Sequence, residues 1–174
     1  MTISAQTPPT TDPVLERITQ NIIGTLQTIT IANGYSVDAT IIQPNPGVGN
    51  PEKDGTILFV TGDASEETTG PETYNQWLQQ FDVATLIVVS ENAADPNIET
   101  LRNLRRAEIE WALTYDPVPS SRPNGTRGGL TEDTLIMAAT VVDCPPDSHE
   151  AVLIVHIGVR YRTPYNNPFA SIYD

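Results

Sequence analysis

The stretch Ala151-Val152-Leu153-Ile154-Val155-His156-Ile157-Gly158-Val159-Arg160-Tyr161-Arg162 decides how the rest of the chain is read. Its odd positions are apolar from Ala151 to Tyr161. Its even positions run from Val152 and Ile154 through His156 and Gly158 to Arg160 and Arg162. Side chains alternate between the two faces of a β-strand, so one face of this strand belongs in a core while the other grades from apolar to basic. At about 3.4 Å per residue the strand would reach roughly 40 Å, against about 17–20 Å for a common strand. The expectation is a strand that overhangs its own domain and offers unpaired backbone to a neighbouring chain.

Working outward, the 174 residues are 39% hydrophobic, enough for one domain with a substantial core, and no apolar run is long enough to cross a bilayer. A soluble chain without membrane partners is expected. Residues 1–11 carry neither a basic residue nor an apolar stretch of signal-peptide type and read as a flexible N-terminal arm. Residues 12–174 read as a single domain. A lone Cys144 excludes an internal disulfide, and two histidines, His149 and His156, make no zinc pattern.

Net charge is −13 and unevenly spread. Ten carboxylates fall between Glu52 and Glu99 against Lys53 alone, and five of the eight arginines (Arg102, Arg105, Arg106, Arg122, Arg127) follow in the next segment. Phosphate-driven nucleic-acid binding depends on the number of cationic contacts, which argues against it here. An acidic surface that keeps the protein in solution is the plain alternative.

Asp12-Pro13 pairs a favoured N-cap with a favoured first helical residue. Leu15, Ile18, Ile22, Leu26 and Ile29 then share one helical face, and Asn33-Gly34 stops the helix. Tyr35–Ile42 reads as a strand and Thr56–Thr61 as another, with the acidic Gly62–Pro71 as an exposed loop. Tyr74–Ser90 is β-like, with Phe81, Val83, Leu86 and Val88 as its inward residues. Asp95-Pro96 opens a second helix whose stripe is Ile98, Leu101, Ile109, Ala112 and Leu113, flanked by Leu104 and Trp111. Arg105 interrupts that stripe, either by snorkelling or pairing with a carboxylate, or as an inter-subunit ion pair. The turn-rich Pro117–Gly129 segment reads as a mobile loop, and Thr134–Val142 as the penultimate strand. Helix, strands, helix, two strands, with short connections, predicts an α+β fold: a mainly antiparallel central sheet, two helices packed on one face and a long C-terminal β-hairpin.

Motifs for chemistry are weak. Asp63, Glu66 and Glu67 lack the ligand spacing of a calcium loop. Cys144 and His149, with Asp143, Asp147 and Glu150 nearby, contain the residue types of a nucleophile pair but no activating context. Gly125, Gly128 and Gly129 match no phosphate loop. His156 reads as a packed or hydrogen-bonded residue rather than a ligand. Neither catalysis nor a metal or other cofactor is expected, and a small Cys/His enzyme is the remote alternative.

Taken in order, a first helix running into Gly34-Tyr35 and a strand, and a second helix ending in Ala112-Leu113 before Asp116-Pro117, form a recognisable series. A polar loop follows, then a closing hairpin whose last strand ends Tyr161-Arg162-Thr163 before Asn167-Pro168-Phe169. From Asp12 to Phe169 the chain resembles the tail terminator (tail completion) proteins of long-tailed bacteriophages. The acidic, proline-rich Pro44–Pro71 is longer than that family's pattern. The resemblance implies a homo-oligomeric ring of six subunits in the virion neck, assembled in the host cytoplasm. Such a ring caps the tail tube protein, ends tail growth and joins the tail to a head-completion or connector protein, while DNA passes through the lumen without specific binding. Neighbouring roles in the same class are head-completion protein and tail tube subunit. The residues expected at subunit or partner interfaces are Arg105, Arg122, Arg127, Arg160 and Arg162.

Overall fold

The computed structural model describes residues 12–42, 54–69, 74–88, 98–114, 127, 130–142, 150–164 and 167–172. Their elements run α1 (Val14–Leu26), a short 3-10 turn (Ile31–Asn33), β1 (Thr40–Ile42), β2 (Thr56–Thr69), β3 (Tyr74–Val88), α2 (Ile98–Thr114), β4 (Asp133–Val142) and β5 (Glu150–Pro164). Among the described residues the five strands form one sheet in the order β1-β2-β3-β5-β4. All pairs are antiparallel except β1 with β2. The fold is α+β, closed by the β4–β5 hairpin, as the periodicities imply. None of its described helices is long and apolar enough to cross a membrane.

Period-two alternation sorts the sheet into two faces. Ala151, Leu153, Val155, Ile157 and Val159 of β5 lie opposite Ile87, Thr85, Val83, Phe81 and Gln79 of β3, and all are buried. Ile57 and Phe59 extend this layer into β2, where the Phe59 and Phe81 rings stack with centroids 5.3 Å apart. The helices cover this face: Val14, Ile18, Ile22 and Leu26 of α1 and Ile109, Ala112 and Leu113 of α2 belong to the same buried cluster. The flanking residues Leu104 and Trp111 remain exposed, as their place beside the stripe requires.

Several expectations are corrected. The long strand does not overhang, because β3 is equally long and pairs with β5 at every residue from Glu150 to Pro164. β4 covers its other edge from Val152 to Arg160. The acidic stretch expected to be a loop is strand as far as Thr69, held by the β3 ladder with irregularities between Thr61 and Ala64 and between Glu66 and Thr68. Such bulges are common at sheet edges, where they accommodate extra residues. In β3 the inward residues after Phe81 and Val83 are Thr85 and Ile87, so Leu86 and Val88 face the other way, although Leu86 is buried there too. An uninterrupted ladder cannot change the face of its side chains.

The helix boundaries also shift. Pro13, not Asp12, is the N-cap, and it makes no side-chain cap bond. α1 ends at Leu26, where Thr28 Oγ1 donates to the Thr25 carbonyl, a local bond that competes with further helix. Ile29 stays buried beyond the end. Gly34 (φ 90°) terminates the 3-10 turn in the left-handed region, and regular strand begins only at Thr40.

Gly55 also has positive φ, 78°, and a Cβ there would lie 2.4 Å from Val37 Cγ2 and 3.1 Å from the Asp38 carbonyl oxygen. At Gly34 an added Cβ meets open space. Gly34→Ala is therefore expected to cost about 1 kcal/mol for the left-handed backbone alone, and Gly55→Ala about 2 kcal/mol or more. Urea unfolding of the two variants measures the difference, and equal losses would show that the Val37 contact yields freely.

Candidate assembly interface

The sheet face turned away from the helices is built from the even positions of β5 and their neighbours. At one end lie Val152 and Ile154, with Leu86 and Ala84 opposite them on β3 and Val142 and Thr140 on β4. Leu58, paired with Ala84, continues the apolar surface into β2. At this end Val142 is 44% exposed and Val152 and Ile154 are half-buried, while Leu86 is only 8% exposed.

Midway, three strands set Asp82, His156 and Thr140 in a row. His156 Nδ1 lies 2.7 Å from Asp82 Oδ1, and its Nε2 lies 3.1 Å from Thr140 Oγ1. Asp82 is directly opposite His156 in the β3–β5 register. The histidine is thus hydrogen-bonded on both ring nitrogens, the role expected of it. This row escaped the sequence, because Asp82 and His156 lie 74 positions apart and only the register joins them.

Next along β5, Gly158 leaves room for neighbouring side chains. A Cβ placed there would lie 2.8 Å from Met137 Sδ and 3.1 Å from Leu78 Cδ1. Met137 occupies the β4 irregularity between Ile136 and Ala138, and is half-exposed. The glycine thus lets a flexible thioether from β4 lie over β5 beside Leu78 of β3.

The far end is ionic. Arg160 Nε donates to Glu67 Oε2 at 2.9 Å and its Nη2 to Glu67 Oε1 at 3.2 Å, a two-pronged pair. Those hydrogen bonds hold the Glu67 carboxyl below its ordinary value and push Arg160 further up. Arg162 Nη2 lies 2.5 Å from Glu132 Oε1, its Nε donates to Gln76 Oε1 at 3.2 Å, and its guanidinium carbon sits 4.7 Å above the Tyr74 ring. Both arginines are therefore fixed in orientation while remaining partly exposed.

Of the other expected interface residues, Arg122 lies outside the described residues, as do Cys144 and His149. Arg105 is buried on the helical side. Its Nη2 donates to Asp54 Oδ2 at 2.9 Å, and its Nη1 reaches Glu108 Oε2 at 3.1 Å and also Ser36 Oγ. Glu108 in turn accepts from the Ser36 amide at 2.6 Å, and Asp54 from the Val88 amide at 3.1 Å. Arg105 thereby ties α2 to the loop before β1 and the turn before β2. This is the carboxylate-paired form of the interrupting arginine.

Arg127 is fully buried, with φ 50°. Its Nη2 donates to the Leu113 carbonyl and its Nε to Thr134 Oγ1 at 2.9 Å. Burial lowers its pKa to about 10, so it stays cationic at neutral pH, at the end of α2 where exposed carbonyls favour a positive group. It is turned into the protein rather than out toward a partner. The five arginines therefore do not form one site: Arg160 and Arg162 share the open sheet face, and Arg105 and Arg127 brace α2.

A second exposed apolar patch lies on the helical layer. Ile31, Leu104 and Trp111 are 61%, 41% and 53% exposed, and Tyr35, Leu104 and Trp111 border a shallow groove of about 340 Å³. Among the described residues no three histidine, cysteine or acidic side chains are grouped to hold a metal ion. Asp63 and Glu66 lie exposed on β2, while Glu67 is engaged by Arg160.

No family model and no curated protein matches the chain. Among solved structures, a chain from the virion of a native gene transfer agent (GTA) particle is similar. It has 10% sequence identity and a TM-score of 0.42, the match covering 87% of this chain and 92% of that one.

Two consequences follow for stability. Arg105→Met leaves Glu108 and Asp54 without their cation, with an expected loss of about 2–3 kcal/mol in denaturant unfolding, below the range for a fully buried pair because Asp54 reaches water. Arg105→Lys should recover only part, since one ammonium does not reproduce a two-armed fork. Glu67 has a lowered folded pKa, so its contribution is complete above the ordinary value of 4.5 and is lost as pH falls through the folded value. Glu67→Gln should accordingly lower stability at neutral pH and flatten its decline below that value in pH-dependent thermal melts. An unchanged acid limb would mean that the Arg160 pair is not formed in solution.

Proposed function

We propose that this protein is a structural, ring-forming component of a phage-like virion, acting in the neck as a tail terminator. In this reading six copies cap the tail tube, end its growth and join the tail to a head-completion or connector protein. DNA passes through the lumen without specific contacts, and neither cofactor nor catalytic step is involved. Assembly takes place in the host cytoplasm.

The observation that carries it is the open sheet face, with its apolar end, its half-exposed Met137 and Val142 and its oriented arginines. A two-layer domain that leaves such a face uncovered has a surface suited to another protein. The helical patch around Leu104 and Trp111 lies on the opposite layer. Two different apolar patches on opposite layers favour a heterologous, head-to-tail contact, and a contact of that kind closes into a ring when each step turns by the same angle. The resemblance from Asp12 to Phe169 supplies the specific role and the six-fold closure. Head-completion protein and tail tube subunit use the same ring logic and remain the neighbouring alternatives.

The head-to-tail contact has a sharp test. Met137→Asp spoils the sheet face and Leu104→Asp the helical patch, both at exposed positions that leave the core intact. Each variant alone should be monomeric by light scattering and native mass spectrometry. An equimolar mixture should give a heterodimer and no ring, because only one intact contact can form. The parent ring should strengthen with ionic strength, since the copies are strongly acidic and repel one another. A parent that stays monomeric at all concentrations and does not affect tail assembly would overturn the proposal.

A further inference from the structure

One groove takes no part in the contacts proposed above. It has a volume of about 380 Å³ and lies where the ends of β3 and β5 meet the start of α1 and the segment after β5. Leu15, Trp77 and Tyr161 supply its apolar lining, and Pro13, Pro164 and Pro168 stand along it. Among the described residues no charged side chain lines it, in a chain whose formal charge is −13. The Val14 amide donates to the Pro168 carbonyl at 3.0 Å, which fixes the start of α1 beside the groove. Among the described residues the Trp77 indole N–H donates a long bond, 3.4 Å, to Thr163 Oγ1.

We infer that this groove is a proline-recognition site, and that its occupant is the chain's own segment Thr7-Pro8-Pro9-Thr10. Aromatic grooves with a nearby hydrogen-bond donor suit the extended polyproline conformation, because such a segment is already ordered and loses little freedom on docking. The segment matches the groove chemically: residues 1–11 carry no charged side chain and contain an adjacent proline pair. It is also delivered there by the chain, since Pro13 is itself part of the lining. The four steps from Pro9 to Pro13 cover about 12 Å in the polyproline conformation, enough to lie along the groove and too few to reach far beyond it. Occupation within one chain is therefore favoured over exchange between copies, because the tether keeps the local concentration high. The inference does not rest on ring formation.

Trp77 reports on the groove once Trp111→Phe makes it the single tryptophan. In that background the full chain should show Trp77 shielded from acrylamide. The double substitution Pro8→Ser with Pro9→Ser should raise the quenching constant several-fold without changing the circular dichroism spectrum. A synthetic peptide of residues 1–11 added to the double variant should restore shielding. Independently, Thr10→Cys with Asn75→Cys in a Cys144→Ser background should form a disulfide within one chain under mild oxidation. Equal quenching in the parent and the double variant, a peptide without effect, or disulfides formed only between chains would each overturn the proposal.

Discussion

The unbroken ladder between β3 and β5 is the constraint from which the rest of the structure follows. Fifteen residues of each strand pair in register, from Tyr74 with Pro164 to Val88 with Glu150. Because side chains alternate strictly along paired strands, a one-residue slip would exchange the two faces. It would carry Phe81, Val83 and Ile87 out of the core and place Asp82 under the helices. The burial of a bare carboxylate there would cost far more than a slipped hydrogen bond, so the register is over-determined by chemistry on both sides. The helices pack against the face that this register selects, while β1 and β4 extend the sheet at its two edges.

Much of that was legible in the chain. The alternation from Ala151 to Tyr161 announces which residues go inward, and each one is buried. The stripe of α2, including the exposed flanks at Leu104 and Trp111, follows from helical spacing alone. What could not be read was whatever depends on a partner strand. β2 continues to Thr69 through residues of turn-like, acidic character because β3 supplies its hydrogen bonds, so tertiary pairing overrides local propensity. Likewise, nothing in the periodicity of β5 says that a strand of matching length exists to cover its edge. Hydrophobicity alone puts Leu86 and Val88 inward, yet the ladder allots them to the other face, where Leu86 is nevertheless buried.

The arginines show the same limit in electrostatic form. Arg105 stood out because it breaks an apolar stripe, and the structure supplies two carboxylates for it, one 51 positions away. Arg127 stood in a segment of turn formers and was expected to project outward. Instead it is enclosed, bonded to a carbonyl at the end of α2 and to Thr134. Among the described residues no carboxylate pairs with it, and a buried guanidinium so placed is costly unless other acceptors receive its hydrogen bonds. Oxygens of neutral groups and the helix end do that here for two of its three nitrogens. Sequence spacing identifies a charged residue as unusual, but its partner is decided by the topology.

The open face then combines two kinds of surface with different uses. The apolar end around Val152, Ile154 and Val142 can supply affinity through area removed from water, without much directional preference. The ionic end contributes little net energy if its pairs remain partly solvated, but its geometry is specific. Arg160 is gripped by both oxygens of Glu67, and Arg162 is held by Glu132, Gln76 and Tyr74. Groups already held in place lose little freedom when a partner arrives, and misplaced charges penalise a wrong alignment. A partner sliding along β5 would therefore gain from the apolar end in several positions but satisfy the arginine end in few. A sheet face that changes character along its strands in this way defines a direction as well as a contact, and a head-to-tail assembly requires both.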